Sequence, residues 1–379
     1  MGDYPATHIA SASKAGRTEL DAEGMPCGPI AGERGAKSPP GRRSMKILFC
    51  SHVFAPSVGG IETVGRILAE QFCRLGSTIT LVTSTPGEEV SSAYHIVRRP
   101  SFKRLRQLAR DADVIFQNNI SLRTLLPVLP CRKPIVVAHH GCLARTNGRK
   151  GWQDYLKLAV LPMCHNISIS EAVSATLPVR SVVIGNPYET SEFAGFEDTP
   201  RSKDIVFLGR LVSQKGCDLL LRSLSILKAE GVCPSLSIIG DGPELPALRR
   251  LIAELDLSNQ VVFLGTIREG RGKEIARHKI MVVPSSYAEP FGVVALEGLA
   301  AGCVIVASSA GGLPEAVGPC GILFPNGDAR AMASALRDLL ASPSLREKLR
   351  SESSRHLERF RPETVAKKYL DVFQSALHG

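Results

Sequence analysis

The chain has 379 residues, of which 44% are hydrophobic and 22% are charged, and its formal net charge is +10. This length predicts two domains of a globular protein, and no apolar run reaches the ~18–20 residues needed to cross a bilayer. A basic surface suits anionic partners, but no zinc-finger spacing or aromatic RNA-binding motif is present, so no nucleic-acid partner is predicted.

The first 44 residues are predicted to be a disordered leader or the product of an overcalled start codon. They are rich in Gly, Ala, Pro and Ser, and they show no hydrophobic periodicity. They also contain no apolar stretch of the kind found in secretory signals. Periodic sequence begins at Met45, which is therefore a candidate for the true start.

From Met45 onward, short apolar runs alternate with amphipathic stretches, which is typical of β/α units on a parallel sheet. A first half (45–185) carries predicted strands at 46–49, 78–83, 114–117, 135–139, 166–170 and 182–184. A linker without periodicity (186–203) leads to a second half (204–360), with predicted strands at 204–209, 235–239, 260–264, 280–283, 304–307 and 321–324. Helices are predicted between the strands, for example at 61–75, 218–230 and 244–255, and a final amphipathic helix lies within 361–379. The pattern predicts an α/β protein with two Rossmann-like domains that face each other across a ligand-binding cleft.

The first loop ends in Gly59 and Gly60 and is followed by the predicted helix 61–75. The start of this helix is expected to point across the cleft at a phosphate or at a second substrate. The loop contains no GxGxxG pattern, so the fingerprint of dinucleotide-dependent dehydrogenases is missing.

The segment EPFGVVALE, from Glu289 to Glu297, follows the predicted strand 280–283 and is expected to enter a helix near Phe291. A helix start presents unpaired amides and a partial positive charge, and Gly292 allows the backbone to approach a phosphate closely. Glu297, in the second turn, is a candidate acceptor for both hydroxyls of a ribose, as acidic residues are in dinucleotide folds. Glu289 precedes the helix and is expected to face the hydroxyls of a sugar. The structural alternative is a pair of solvated glutamates at a helix start.

Five motifs in this order resemble those of family 4 (group 1) of the retaining glycosyltransferases, which have the two-domain GT-B fold. They are Pro56-Ser-Val-Gly-Gly-Ile-Glu62, Gly209-Arg-Leu211 with Lys215-Gly216, Gly240-Asp-Gly-Pro-Glu244, Glu289-Pro-Phe-Gly292 with Glu297, and Gly311-Gly-Leu-Pro-Glu315. The resemblance extends from about Met45 to the C-terminus. Each motif is weak alone, but the ordered set is specific.

The resemblance implies that the second half binds a nucleotide diphosphate sugar and the first half an acceptor, with the last helix crossing back to the first half. Arg210 and Lys215 are then expected to hold the diphosphate and to neutralise the charge that develops on the leaving group. His140 is expected to contact the donor sugar, while His139 points to the opposite face of its strand. The remaining donor-binding residues implied by the family are Gly59, Gly60, Ile267 (in a segment, 266–268, that holds the base through its backbone), Phe291, Gly292, Val293 and Glu297.

The resemblance also implies retention of the anomeric configuration, with the departing phosphate oxygen assisting the acceptor hydroxyl. Double displacement through Glu289 is the alternative. A UDP-sugar is the expected donor, with GDP- and ADP-sugars left open. No cofactor or metal is expected, because Asp111-Ala-Asp113 matches a DxD metal motif only formally and precedes a predicted strand instead of following one. The alternatives in function are a sugar-nucleotide epimerase and a catalytically silent subunit that binds nucleotide or lipid.

The acceptor is expected to be a saccharide or lipid-linked hydroxyl compound in the synthesis of polysaccharide, lipopolysaccharide or glycolipid. A basic segment in the first half, with Phe102, Leu105 and Leu108 interleaved, suggests peripheral contact with an anionic membrane, and Trp152 and Tyr155 could add to it. A solvated helix face is the alternative. The cations of the basic segment are Arg98, Arg99, Lys103, Arg104, Arg106 and Arg110. The ten cysteines form no CxxC pair, which predicts reduced thiols in a cytoplasmic protein. The basic segment extends this expectation to the inner face of the cytoplasmic membrane.

Overall fold

The computed structural model describes residues 44–57, 59–88, 91–141, 151–193, 195–196 and 198–378. The predicted leader lies outside these residues, apart from Ser44. Seven strands belong to the first half: β1 (Lys46–Ser51), β2 (Thr78–Thr83), β3 (His95–Arg98), β4 (Val114–Asn118), β5 (Ile135–His139), β6 (His165–Ser168) and β7 (Val182–Val183). Six belong to the second half: β8 (Lys203–Leu208), β9 (Leu236–Ile239), β10 (Val261–Gly265), β11 (His278–Val283), β12 (Val304–Ser308) and β13 (Gly321–Phe324).

The helices alternate with these strands along the chain. They are α1 (Gly60–Arg74), α2 (Phe102–Asp111), α3 (Leu122–Leu125), α4 (Trp152–Val160), α5 (Glu171–Ser174), α6 (Thr190–Phe193), α7 (Cys217–Ala229), α8 (Leu245–Glu254), α9 (Arg271–Ala276), α10 (Val293–Ala300), α11 (Leu313–Val317), α12 (Ala329–Ala341), α13 (Pro343–Ser351), α14 (Ser353–Leu357) and α15 (Pro362–His378). Within the described part of the chain, no helix is both long and apolar enough to span a membrane.

Each half is built on one parallel sheet. The strand order is β3-β2-β1-β4-β5-β6-β7 in the first half and β10-β9-β8-β11-β12-β13 in the second. In both sheets the order reverses where the first strand of the half lies beside its fourth, at β1–β4 and at β8–β11. Connections leave in opposite directions at such a point, which opens a crevice at the carboxyl ends of the strands. The predicted α/β fold with two Rossmann-like domains is therefore confirmed.

Hydrophobic clusters on both faces of each sheet explain why the central strands are continuous apolar runs. Every residue of β4 and β5 is buried, as expected for parallel strands that are covered by helices on both sides. The last helix, α15, packs on the first half, where Val365, Tyr369 and Phe373 join the same core as Phe72 and Phe116. Tyr369 and Phe116 lie edge to face, with ring centroids 5.6 Å apart.

Three elements differ from the sequence prediction. The edge strand β3 was not predicted, and the segment 186–203 contains the short helix α6. Helix α10 begins at Val293 and not near Phe291, because Gly292 adopts a left-handed conformation that ends the preceding extended segment.

Candidate active site

The entry into α10 is tightly constrained by glycine. Gly292 has φ +97°, and a Cβ at this position would lie 2.4 Å from Leu313 Cδ2. Such a conformation and such a contact together favour glycine strongly. The Phe291 side chain is buried in the core of the second half, so only its backbone is available to a ligand. The amides of the first turn of α10 are thus presented without a side chain in front of them, which suits an anion.

Glu289 and Lys215 form the central ion pair of the second half. Lys215 Nζ lies 2.6 Å from Glu289 Oε1, and Ser285 Oγ donates to the other carboxylate oxygen. The Lys215 ammonium also lies 5.6 Å from the centre of the Tyr287 ring. Burial opposes the charge of Lys215, but the Glu289 charge and its hydrogen bond outweigh this, so the pKa of Lys215 is raised. Lys215 was expected at the diphosphate of the donor and Glu289 at its sugar, and the structure shows that the two side chains bind each other.

Arg210 follows β8 at the switch point of the second sheet. Its side chain is exposed, and β8 ends where the Gly209 amide donates to the Ile239 carbonyl at 3.0 Å. Arg210 is therefore free to swing toward a ligand at the carboxyl ends of the strands.

Glu297 lies in the second turn of α10, and its side chain is only 12% exposed. Arg271 Nη2 lies 3.2 Å from Glu297 Oε1. Burial raises the pKa of Glu297 to about 7, while Arg271 acts in the opposite direction. Nearby, Ile267 and Val293 both pack against the hydrophobic cluster under α10. The predicted segment for the base and the predicted residue for the ribose therefore border the same region.

The two histidines at the end of β5 point into different surroundings. His140 Nε2 lies 2.8 Å from Asn118 Oδ1, and Asn118 Nδ2 donates to Ser51 Oγ and to the Ile61 carbonyl. This orientation of the amide means that His140 carries its proton on Nε2. Burial, reinforced by His139, lowers the pKa of His140 to about 4, so the side chain is neutral at neutral pH.

His139 is fully buried on the other side. Its Nε2 donates to Asn166 Oδ1 at 2.9 Å, because Asn166 Nδ2 is engaged by two carbonyls. Burial lowers the pKa of His139, and the Asn166 hydrogen bond offsets part of this. His139 is therefore a packed core histidine.

The start of α1 is open toward the cleft. Gly59 is the extended residue before the helix, and a Cβ on Gly60 would meet no atom within 4 Å. A cavity of about 390 Å³ lies beside it at the β1–β4 switch point. It is lined by His52, Val53, Ile61, residues 118–122, Arg123, Gln153 and Lys157. No carboxylate is among these described lining residues.

Contacts between the halves bring the two sets of residues together. Ser170 Oγ donates to the Pro290 carbonyl at 2.7 Å, and the Glu171 amide donates to Glu315 at 2.8 Å. A Cβ on Gly141, next to His140, would lie 3.9 Å from Pro290. The end of β5 therefore borders the Glu289–Gly292 turn.

Asp113 of the DxD-like pair has a structural contact. Asp113 accepts a hydrogen bond from the Lys46 amide at 2.8 Å and so fixes the start of β1 relative to β4. Across the described ranges, no three His, Cys, Asp or Glu side chains are grouped to hold a metal ion.

The basic segment is divided between two elements. Arg98 ends β3, and its guanidinium donates to the carbonyls of Ala55, Thr85 and Glu88. Arg98 is thus a structural residue and not part of an amphipathic helix. On α2, Leu105 is buried, while Phe102 is 64% exposed among Lys103, Arg104, Arg106 and Arg110. The eight cysteines that the structure describes are all free thiols, and Cys27 and Cys142 lie outside the described residues.

Sequence reasoning did not identify Ser285, Asn118, Ser170 or Arg271. A usable signal existed for Asn118 and Ser285, because both are polar and lie at the carboxyl end of a buried strand beside the switch point. Ser170 has only its position after β6 to mark it. Arg271 has no signal, since its acidic partners are distant in sequence.

Comparisons with known proteins identify a family. The group 1 glycosyl transferase model matches residues 189–356. A GDP-mannose-dependent α-(1-6)-phosphatidylinositol monomannoside mannosyltransferase of Mycolicibacterium smegmatis is 35% identical over 348 residues, covering 78% of this chain and 90% of that protein. A D-inositol 3-phosphate glycosyltransferase of Rhodococcus opacus is 33% identical over 186 residues, covering 47% of this chain and 42% of that protein. The chain thus matches less than half the length of that relative.

Solved structures share the fold. HepE of Anabaena, in complex with UDP, has a TM-score of 0.75 at 20% identity, covering 87% of this chain and all of that one. Sucrose-phosphate synthase of Thermosynechococcus elongatus has a TM-score of 0.72 at 21% identity, covering 88% and 99%. With two parallel-sheet halves, the ordered motifs and a relative matched over nine tenths of its length, the chain belongs to the group 1 glycosyl transferases of the GT-B fold.

Proposed function

We propose that the protein transfers a sugar, with retention of configuration, from a nucleotide diphosphate sugar to a hydroxyl group of an acceptor. The observation that carries this proposal is the arrangement around Glu289. A buried carboxylate and its lysine lie beside the glycine-opened start of α10, and the His140 strand end borders them from the other half. This arrangement combines groups for a sugar with groups for a diphosphate.

The diphosphate would be held at the amides around Gly292 and Val293, with Arg210 and Lys215 supplying positive charge. As the bond to the sugar breaks, negative charge grows on the leaving oxygen, and fixed cations and amides stabilise that charge. When Lys215 turns to the phosphate, Glu289 is released to accept hydrogen bonds from the sugar hydroxyls. Neutral His140, oriented by Asn118, would contact the sugar without acting as a strong acid.

Retention is supported by the acceptor side. An inverting transferase needs a base beside the attacking hydroxyl, and a carboxylate commonly fills this role. The described lining of the cavity near Gly60 carries none. We propose that the departing phosphate oxygen acts as the base instead, so that the acceptor hydroxyl attacks on the face that the nucleotide leaves.

The donor is proposed to be a UDP-sugar, which agrees with the UDP complex of HepE. A GDP-sugar is the second candidate, because the relative that aligns over 90% of its own length is described as GDP-mannose-dependent. Thermal shift with UDP, GDP and ADP ranks the nucleotides, since a bound ligand raises stability by mass action. The sugar transferred is then identified with the matching nucleotide sugars.

The decisive experiment is transfer by Glu289→Gln with the donor so identified. We expect Glu289→Gln to transfer sugar about 10²-fold or more slowly than the wild-type protein. We also expect NMR spectra of the wild-type product to show the same anomeric configuration as the donor. Full activity of Glu289→Gln would remove Glu289 from the mechanism. An inverted product would refute retention, and release of nucleotide with an epimerised sugar and no acceptor would favour the epimerase alternative.

We also propose peripheral contact with an anionic membrane, which would present a lipid-linked acceptor. Phe102 and Arg123 line a second cavity, of about 370 Å³, and Arg123 also lines the cavity of about 390 Å³ beside the start of α1. On α4, Trp152 is 73% exposed and Tyr155 62%. Exposed aromatic side chains among cations are typical of interfacial binding.

Liposome sedimentation tests the membrane contact. The double variant Lys103→Glu, Arg104→Glu is expected to lose binding to vesicles that contain anionic lipid. The matched control is Arg222→Glu, Arg250→Glu, which changes the charge equally on exposed positions of the second half. Equal binding by both double variants would refute a specific membrane surface on α2.

A further inference from the structure

Arg271, at the start of α9, joins two acidic residues from different parts of the chain. Its Nη2 lies 2.9 Å from Glu192 Oε2 and 3.2 Å from Glu297 Oε1. Its guanidinium carbon lies 5.2 Å from the centre of the Phe193 ring. Phe193 is fully buried, so this stacking holds the guanidinium in one place.

The packing around this contact leaves Arg271 little freedom. A Cβ on Gly272 would lie 2.0 Å from the Glu192 carbonyl oxygen, so α9 lies directly against α6. Glu189, next to α6, is bound in turn by Arg66 of α1 and by Ser191. Arg271 is therefore anchored through Glu192 to a segment that is itself fixed to the first half.

Glu297 depends on its surroundings to stay ionised. The charged groups that face it are Arg271 from α9 and the carboxylates of Glu192 and Glu189 from the segment before and within α6. The pKa of Glu297 is raised to about 7: burial is the largest cause, Arg271 opposes it, and the carboxylates of Glu192 and Glu189 add to it. An ionised carboxylate can accept hydrogen bonds from both hydroxyls of a ribose, whereas a protonated one must donate on one side.

We propose that Arg271 is a positioning residue of the donor site, which holds Glu297 in the ionised form that accepts the ribose diol. This inference rests on the proposed function, in which Glu297 binds the ribose of the donor nucleotide. Arg271 itself need not contact the nucleotide. Glu192 supplies the anchor that keeps the guanidinium beside Glu297.

Two claims are tested separately: that Glu297 binds the ribose, and that Arg271 keeps Glu297 ionised. The method is calorimetric titration with UDP and GDP and with their 2′,3′-dideoxy analogues. The ratio of ribo- to dideoxy-nucleotide affinity is measured from pH 6 to 9, because this ratio cancels the titration of the diphosphate. The wild-type protein is expected to prefer the ribonucleotide by about tenfold or more, and Glu297→Gln to lose most of this preference. The wild-type preference should fall as the pH falls below about 7, since Glu297 is then protonated.

In Arg271→Met the preference for the ribonucleotide is expected to fall about tenfold at pH 7. It should return toward pH 9, where Glu297 ionises without Arg271. Arg271→Lys should retain part of it at pH 7. The affinity of Arg271→Met for the dideoxy analogue should stay near that of the wild-type protein. Arg277→Met, six residues further along the chain and paired only with Glu274 among the described acids, is the matched control and should behave as wild type.

The outcomes are distinguishable. If the wild-type protein binds neither nucleotide, or binds both forms equally, the proposed ribose site fails and this inference fails with it. If Glu297→Gln loses the preference but Arg271→Met keeps it at pH 7, the inference alone is wrong. Equal weakening of ribo- and dideoxy-nucleotide by Arg271→Met at every pH would likewise overturn it, since a merely structural role would act in that way.

Discussion

At the scale of single residues, Lys215 has two anionic partners to neutralise, Glu289 in the structure and the diphosphate in the proposed complex. In the structure the lysine neutralises the carboxylate of Glu289, a residue that is only 7% exposed. In the proposed complex the same lysine neutralises a diphosphate. One cation can do both because the ligand brings its own hydroxyl donors to Glu289.

This dual role gives a prediction that separates stability from activity. Lys215→Met should lower the free energy of unfolding by about 3 kcal/mol, because it leaves a buried carboxylate unpaired. It should also reduce transfer about 10²- to 10³-fold. The double variant Lys215→Met, Glu289→Gln should recover much of the stability in denaturant titrations but none of the activity. Recovery of both would mean that the pair acts only in folding.

A second prediction concerns the two histidines. Because burial lowers the pKa of His140 to about 4, its protonation should not appear in the pH dependence of transfer above about pH 5. His140→Gln should lower kcat, with a smaller loss of stability than His139→Gln because His140 is 7% exposed and His139 is fully buried. His139→Gln should lower the melting temperature with little change in kcat, because His139 is fully buried against Asn166. Steady-state kinetics and thermal unfolding of both variants check this, and the reverse assignment of effects would contradict it.

At the scale of elements, α1 and α10 use glycine at their starts for different reasons. Gly292 is required by its left-handed backbone and by Leu313, whereas a side chain on Gly60 would point into open space. Glycine at position 292 is therefore required by the structure itself. At position 60 the structure imposes no such requirement, and glycine there would matter only for the approach of a ligand.

The two glycines therefore predict opposite results on substitution by alanine. Gly292→Ala should destabilise the protein by about 1–3 kcal/mol, because of positive φ and the contact with Leu313. Gly60→Ala should leave stability unchanged or raise it by about 0.5–1 kcal/mol, as alanine favours a helix. If the start of α1 approaches a ligand, Gly60→Ala should nevertheless raise KM. Unchanged kinetics of Gly60→Ala would show that no ligand approaches this helix start.

The sequence predicted most of the architecture because parallel strands buried on both faces are short apolar runs with little else in them. It missed β3 because only Ile96 and Val97 are apolar there, and Arg98 and Arg99 looked like the start of the basic segment. It identified Glu289, Lys215 and Glu297 as candidates through motif order. It did not predict that Lys215 and Glu289 pair, because 74 residues separate them and only the fold brings them together.

At the scale of the whole molecule, α15 belongs to the core of the half that is most distant from it in sequence. Tyr369 is fully buried there between Phe72 and Phe116, and its hydroxyl has no hydrogen-bond partner among the residues that the structure describes. A buried hydroxyl in this situation costs stability.

Tyr369→Phe should therefore raise the free energy of unfolding by about 1 kcal/mol, because it removes the unpaired hydroxyl and keeps the ring. Transfer activity should be unchanged, since Tyr369 lies away from the site. The measurement is denaturant titration, in which both proteins should show the same dependence of the free energy of unfolding on denaturant concentration. A lower stability of Tyr369→Phe would show that the hydroxyl does have a partner in solution. Phe373→Leu is the contrasting variant and should destabilise, because it opens a cavity in the same core.

The position of α15 also has a consequence for synthesis on the ribosome. The last strand of the first sheet ends at Val183, but the helix that covers its core begins at Pro362. At about 5–20 residues per second, roughly 10 to 40 seconds separate their translation. During that interval, while the second half is being made, the first half lacks the helix that covers Phe72 and Phe116. The first half is thus translated first, but its core is completed last. It is therefore the part of the nascent chain most in need of protection from aggregation.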